Sequence, residues 1–237
     1  MKKNKKYNYV QATRSTEHGS RTYDVAGMKL PSVTTVLAKT KDQTYIRKWK
    51  ERVGEEQAEH IKNYSSKRGT AMHKFLEKHI QGAGYDDLTP IGQEASPMAK
   101  KIIEKGMGDL TEIWGSEVVL YYPDLYAGAT DVVGIYNGRE SIIDFKQTNK
   151  PKRREWIDDY FIQLGAYAMA HNYVYRTQIQ SGIILMCSKD KLFQKFEVWD
   201  KEFVGYQHAF LKKVDQYYRD HNNQPKHKDT KNEQISQ

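Results

Sequence analysis

The sequence predicts an α/β protein whose core runs helix, three-stranded antiparallel meander, helix, strand, with extra helices before the core and one after it. Three observations predict it. Apolar residues recur every three or four positions through Met72, Phe75, Leu76 and Ile80, the spacing of one helix face. The middle of the chain then switches to a period of two on either side of Asn137-Gly138, a dipeptide suited to a two-residue hairpin because both central residues of a type I′ turn need positive φ. Helical spacing returns after residue 155 and is followed by two further short apolar runs.

Taken in order, residues 1–30 are polar, with turn signals at His18-Gly19-Ser20 and Ala26-Gly27, and read as an N-terminal extension. Pro31-Ser32-Val33-Thr34-Thr35-Val36-Leu37 is a short apolar stretch expected to pack against the core. Tyr45 to Ile61 reads as a helix through Ile46, Trp49, Val53 and Gln57, and a second helix is expected to start at Ser65 or Ser66, either of which could cap it. Gly82-Ala83-Gly84 should end that helix, and another should cover Met98 to Asp109 after a loop containing Pro90 and Pro97. Strands are expected over Glu117–Tyr122, Ala129–Tyr136 and Arg139–Gln147, then a helix over Glu155–Asn172. A hairpin of Ile179–Cys187 with Leu192–Trp199 follows, and a last amphipathic helix carries Phe203, Phe210, Leu211, Val214 and Tyr218. This organisation makes 31–220 one domain, helical over 31–110 with its core over 111–220, and leaves 221–237 as a polar, frayed tail.

Composition narrows the function. Lys plus Arg is 38 against 30 for Asp plus Glu, a net charge of +8, which suits a polyanionic partner. The single cysteine, Cys187, excludes a disulfide framework, a cysteine-based zinc site and a four-cysteine iron–sulfur cluster, and fits a reducing compartment. No apolar run approaches the ~20 residues that span a bilayer. The opening Met1-Lys2-Lys3-Asn4-Lys5-Lys6-Tyr7 is basic without the apolar stretch of a secretion signal. A cytoplasmic protein with no membrane partner is the expectation.

The chemistry concentrates at the hairpin. With Asn137 and Gly138 as the turn, Tyr136 faces Arg139, and counting outward brings Asp131 opposite Asp144 in a non-hydrogen-bonded pair, Cα atoms about 4.5 Å apart. Lys146 shares the face of Asp144. The flanking Val132, Val133, Ile135, Ile142, Ile143 and Phe145 imply burial on both faces. Two carboxylates opposed in a dry place repel and raise each other's pKa, and a bound hard cation such as Mg²⁺ or Mn²⁺ relieves that conflict. A neighbouring lysine can then meet a phosphate as a point charge. Taken alone, Asp144-Phe145-Lys146 reads more readily as a surface ion pair, and the facing Asp131 brings the two readings level.

The wider pattern is more specific. Asp131 with Asp144-Phe145-Lys146 resembles the signature of the PD-(D/E)XK nucleases. Arg68-Gly69-Thr70-Ala71-Met72-His73 resembles the Gly-x-x-x-His motif of their RecB-like exonuclease branch, and Gln163-Leu164-Gly165-Ala166-Tyr167 its Gln-x-x-x-Tyr motif. The segment from Pro31 to Leu37, followed by the Trp49 helix, is similar to the mitochondrial genome maintenance exonuclease family and its phage relatives. Thr130 stands where the signature has proline, and Asp144 where glutamate is commoner.

The resemblance implies a restriction-endonuclease-like core and a metal-dependent DNA nuclease. The expected activity is single-strand exonuclease in recombination, repair or replication, with a structure-specific endonuclease or an inactive nucleic-acid-binding module as alternatives. It implies Mg²⁺ or Mn²⁺ held by His73, Asp131, Asp144 and the Phe145 carbonyl, with Glu117 binding through water or placing a second ion. Lys146 would orient the attacking water, and Gln163 and Tyr167 would contact nucleic acid or brace the site. Outside that context His73 reads as a structural histidine, Tyr167 as core and Glu117 as solvent-facing. The expected partner is DNA, single-stranded or with free ends, together with other replication or recombination proteins. Its contacts are expected from Arg68, from the run Lys150, Lys152, Arg153 and Arg154, and from Trp49.

Overall fold

The computed structural model describes residues 1–17 and 19–221, so the expected tail lies outside it apart from His221. Residues 1–30, polar enough to read as an extension, in fact form four strands with Pro31. β1 (Lys2–Lys3) pairs with a later strand, whereas β2 (Thr13–Glu17), β3 (Ser20–Val25) and β4 (Met28–Pro31) make a separate antiparallel sheet. Only alternate residues there are apolar, because only one face docks: Tyr23, Val25 and Leu30 are buried with Ala127. The other face is polar, Ser15 and Thr22 bonding across it at 2.8 Å. Ala26 and Gly27 both take positive φ at the β3–β4 turn.

The apolar stretch from Pro31 belongs to a helix, α1 (Val33–Lys39), because the Ser32 hydroxyl accepts the Thr35 N–H at 2.9 Å and caps it. α2 (Thr44–Val53) stops at Gly54, whose φ of 86° is open to glycine. The break therefore falls eleven or twelve residues before the expected one at Ser65-Ser66. α3 (Glu55–Gln81) is a single helix of 27 residues, about 40 Å long. Ser65 and Ser66 sit in its interior, since a capping residue starts a helix only where the preceding chain has left helical geometry. Met72, Leu76 and Ile80 form its buried stripe, and Gly82 closes it in the left-handed region.

α4 (Pro90–Gly106) starts earlier than the sequence suggests. Thr89 caps it through Gly92 N–H at 3.1 Å, Pro90 occupies the first turn, and Pro97 is carried inside. An interior proline costs about 3 kcal/mol; burial of Ala95, Met98, Ala99 and Ile102 offsets it. β5 (Leu110–Tyr122) likewise begins seven residues before the expected start, its period blurred by irregularities near Glu112 and Gly115. β6 (Tyr126–Tyr136) and β7 (Arg139–Thr148) form the hairpin in the expected register, Tyr136 facing Arg139. Asn137 and Gly138 have φ of 46° and 76°. α5 (Asp158–Tyr175), β8 (Ser181–Ser188), β9 (Phe193–Trp199) and α6 (Asp200–His221) complete the chain.

The main sheet runs β1-β5-β6-β7-β8-β9, with β7–β8 parallel and β5–β6–β7 an antiparallel meander. One face packs Val132, Ile143, Phe145 and Leu185 against α3 and α4. The opposite face packs Val133, Ile142, Ile184 and Met186 against α1, α5 and α6. Adjacent hairpin residues thus enter opposite layers, as a doubly covered strand requires. Among the described residues no helix is long and apolar enough to cross a membrane.

The segment between β1 and β2 is clamped by aromatics. Tyr7 and Tyr9 pack with Trp114 and Tyr175 around His171, which bonds Tyr9 Oη at 3.2 Å and Thr177 Oγ1 at 2.8 Å. Burial depresses His171 to about 4. The unfolded chain, near 6.5, takes up that proton first, so stability falls as pH drops from about 6.5 to 4, by about 3 kcal/mol in all. Urea unfolding across this range should show the loss, and His171→Gln should flatten it.

Candidate active site

The site forms where the β6–β7 ladder opens. Paired residues run from Tyr136/Arg139 to Val132/Ile143, and at the next position Asp131 and Asp144 part. Asp131 fills the gap with its own carboxylate, Oδ2 accepting the Phe145 N–H at 2.6 Å. Both aspartates are buried, 8% and 3% exposed. α3 closes in from one side of the sheet, and α5 from the other.

From α3, His73 places Nδ1 3.2 Å from Asp131 Oδ1 and Nε2 2.9 Å from the Phe145 carbonyl. From β5 comes Glu117, exposed on the open side, with its backbone in the left-handed region at φ 54°. Ligand atoms of His73, Glu117 and Asp131 all lie within 4.8 Å of one another. From β7, the Lys146 ammonium contacts Asp144 Oδ2 and sits 5.1 Å from the centre of the Tyr160 ring. From α5, the Gln163 amide reaches Asp144 Oδ1 at 3.5 Å and donates to Tyr167 Oη at 3.1 Å. Tyr167 is buried with its ring against Gly128, where any Cβ would come within 2.8 Å of it.

Electrostatics separate these groups. Partial desolvation by the cleft walls, then the neighbouring Asp131 charge, pushes Glu117 up to about 7. Burial likewise raises Asp144 to about 6, against the pull of Lys146. At Asp131 burial opposes ionisation, yet His73 overrides it and holds the carboxyl below its ordinary range. His73 mirrors this: burial disfavours its charge, but Asp131 brings it up to about 9. Lys146, opposed by burial, is kept charged by Asp144 and Asp131. The cluster thus holds a proton on His73 between groups that are cation ligands by chemistry. His73, Glu117 and Asp131 bring one imidazole and two carboxylates together, a donor set that suits a hard or borderline divalent ion, so these residues fit one. Asp144 stands outside that group, its carboxylate facing Lys146 and Gln163.

The strain at Glu117 has its own signature. A left-handed L-residue costs about 1–2 kcal/mol, and such outliers gather at functional sites. Glu117→Gly and Glu117→Ala both remove the carboxylate, but only glycine relieves the backbone. Glu117→Gly should therefore be the more stable of the two by about 1 kcal/mol in urea titration.

The expected nucleic-acid contacts divide. Gln163 and Tyr167 reach the site and brace Asp144. Arg68, 1% exposed, faces inward. It donates to Gln147 Oε1 at 2.9 and 2.7 Å, to Asn149 Oδ1, and to Glu94 Oε2 at 3.3 Å, so it ties α3 to β7 and α4 and has no face for a ligand. The run after β7 is likewise engaged outside the cleft. Arg154 spans to Glu202 at 2.6 Å and to the Glu197 carbonyl at 2.9 Å, the Lys152 backbone holds Gln194, and Arg153 covers Trp156. Neither these residues, nor Lys150, nor Trp49 lines the cleft above the aspartates, which measures about 1180 Å³. Its walls instead carry Lys62, Lys67 and Lys74 from α3, and Arg14 and Arg21 from the N-terminal sheet. Sequence reasoning missed the two arginines because nothing local ties residues 14 and 21 to a site built more than fifty residues later. The sole hint was the alternation of Arg21 with Tyr23.

Comparison with known proteins bears on this site. No family model matches the chain. It is similar to mitochondrial genome maintenance exonuclease 1 of Mus musculus, 33% identical over 176 residues, covering 68% of this chain and 50% of that protein. The Homo sapiens protein of that name is 31% identical over 177 residues, with the same coverage, and the Xenopus tropicalis protein 27% over 179 residues, 70% of this chain and 50% of that one. The chain spans about half the length of the curated relatives it matches. A solved chain from Eubacterium rectale aligns with a TM-score of 0.47 at 13% identity over 65% of each chain, too slight a likeness to argue from. By sequence, the chain is related to proteins named as exonucleases.

Proposed function

We propose that this chain is a metal-dependent nuclease of the PD-(D/E)XK type, with a restriction-endonuclease-like core, that shortens single-stranded DNA from a free end. One observation carries the reading: Asp131, Asp144 and Lys146 converge with His73 and Glu117 at the floor of one basic-walled cleft. The named relatives support the exonuclease part of it.

His73, Asp131, Asp144 and the Phe145 carbonyl would hold Mg²⁺ or Mn²⁺, with Glu117 at the open side. When bound, the ion supplies Lewis acidity toward the phosphodiester. The chain's own residues do the rest. Asp131 fixes the β7 backbone through the Phe145 N–H. Gln163, steadied by Tyr167, orients Asp144. Asp144 in turn holds the Lys146 ammonium, whose Nζ faces the cleft floor, where it orients the attacking water and offsets charge developing on phosphate.

The test is an oligonucleotide labelled at either end, supplied linear and as a closed circle, with and without Mn²⁺. Metal-dependent shortening of the linear strand with the circle left whole is the expected result. Cleavage of the circle would make the protein an endonuclease, and intact linear substrate with either ion would remove the enzymatic reading.

A further inference from the structure

We infer that the small N-terminal sheet forms the second wall of the substrate path, with Arg14 and Arg21 gripping the phosphates of a single strand that α3 borders on the other side. This rests on the nuclease reading and names the surface by which the same site would take its substrate.

The argument starts from register. Arg14 pairs with Tyr23, and Thr16 with Arg21, while Tyr23 pairs with Leu30 and Val25 with Met28. Opposed and alternate residues share a face, so Arg14, Arg21, Tyr23, Val25 and Leu30 all lie on one side of this sheet. That side is apolar where Val25 and Leu30 bury against the main sheet, and basic where Arg14 and Arg21 overhang the cleft. A face that only docked would need no exposed arginines beside its buried tyrosine.

Arg21 is also held in place. Its N–H donates to Thr35 Oγ1 at 2.9 Å, its carbonyl accepts from the same hydroxyl at 2.9 Å, and from Ser32 N–H at 2.9 Å. The backbone is thus anchored to the first turn of α1 while the guanidinium remains exposed. Among the described residues, Arg14, Arg21 and Lys67 make no ion pair, whereas other wall lysines do: Lys62 with Glu59 and Lys74 with Glu77. Glu77 and Asp87 also line the cleft, which leaves the uncommitted positive charge with the two arginines and Lys67. A planar guanidinium on a fixed backbone suits a phosphate, which it can meet with two parallel hydrogen bonds.

The experiment measures binding without turnover, by anisotropy of a fluorescein-labelled oligothymidylate in EDTA over a range of salt. The double variant Arg14→Gln/Arg21→Gln should bind about tenfold more weakly, and its log–log salt slope should shrink by about 1.4, two phosphate contacts on a single strand. Arg14→Lys/Arg21→Lys, which keeps the charge but not the fork, should restore the parental salt slope and only part of the affinity, and separates loss of contact from damage to the sheet. Lys201→Gln/Lys212→Gln, on exposed α6 positions, should bind like the parent. Unchanged affinity in the glutamine double variant, while the parent binds and cuts, overturns this inference and leaves the nuclease reading standing. An equal loss in the α6 variant also overturns it. A parent that neither binds nor cuts overturns both.

Discussion

Asp144→Asn is expected to lower the rate of oligonucleotide cleavage about 10³-fold while leaving the unfolding midpoint nearly unchanged. The substitution is isosteric, so the Gln163 amide keeps its acceptor at Oδ1. It also removes a carboxylate whose ionisation is opposed by burial and by the neighbouring Asp131 charge, which lift Asp144 to about 6. Lys146→Ala should abolish activity to a similar degree but at a cost in stability, because it leaves a 3% exposed carboxylate without its cation. The sign follows from linkage: Asp144 titrates above its unfolded range, so its folded form is penalised when ionised and the deficit should shrink from pH 8 to pH 5. Cleavage assays with Mn²⁺ and urea titrations at both pH values check the pair. Retention of more than a tenth of parental activity by Asp144→Asn would remove that residue from the chemistry.

Arg68→Ala should be among the most destabilising substitutions in the protein, costing about 3–5 kcal/mol. Its guanidinium meets Gln147, Asn149 and Glu94 at once, and Gln147 is further tied to the Ser65 carbonyl at 2.9 Å. Alanine leaves these groups facing a void. Arg68→Lys should recover little, since an ammonium on a flexible stem cannot span three acceptors in the geometry of a planar fork. Urea denaturation measures the loss. A stable Arg68→Ala protein with weakened oligonucleotide binding would instead return Arg68 to the ligand surface.

The legible parts of this fold were those set by local chemistry. Asn137-Gly138 dictates its own turn, and the turn dictates the register of β6 and β7, so the placing of Asp131 and Asp144 just beyond Val132/Ile143 could be read from the sequence, whereas the opening of the ladder there, which leaves them unpaired, could not. The convergence of His73 and Gln163 on them could not be read from spacing alone and came from the motif resemblance. What stayed hidden was nonlocal. Glu117 lies in a run of alternating strand residues, yet its backbone turns left-handed opposite Asp131. Arg68 directly follows exposed Ser66 and Lys67 and still turns wholly inward, because its acceptors arrive from β7, the segment after it and α4. The basic run at 150–154 misled for the converse reason: density of charge in sequence says nothing about which way a segment leaves the sheet.

The continuity of α3 has a mechanical consequence. One unbroken rod carries the wall lysines, the Arg68 tie and His73, so none of them can shift without dragging the others and the core stripe beneath. Opposite it, the strand bearing Arg21 is riveted to α1. Both walls rest on anchored secondary structure, so under the proposed function the slot would sort strands by girth and not by the closing of a lid.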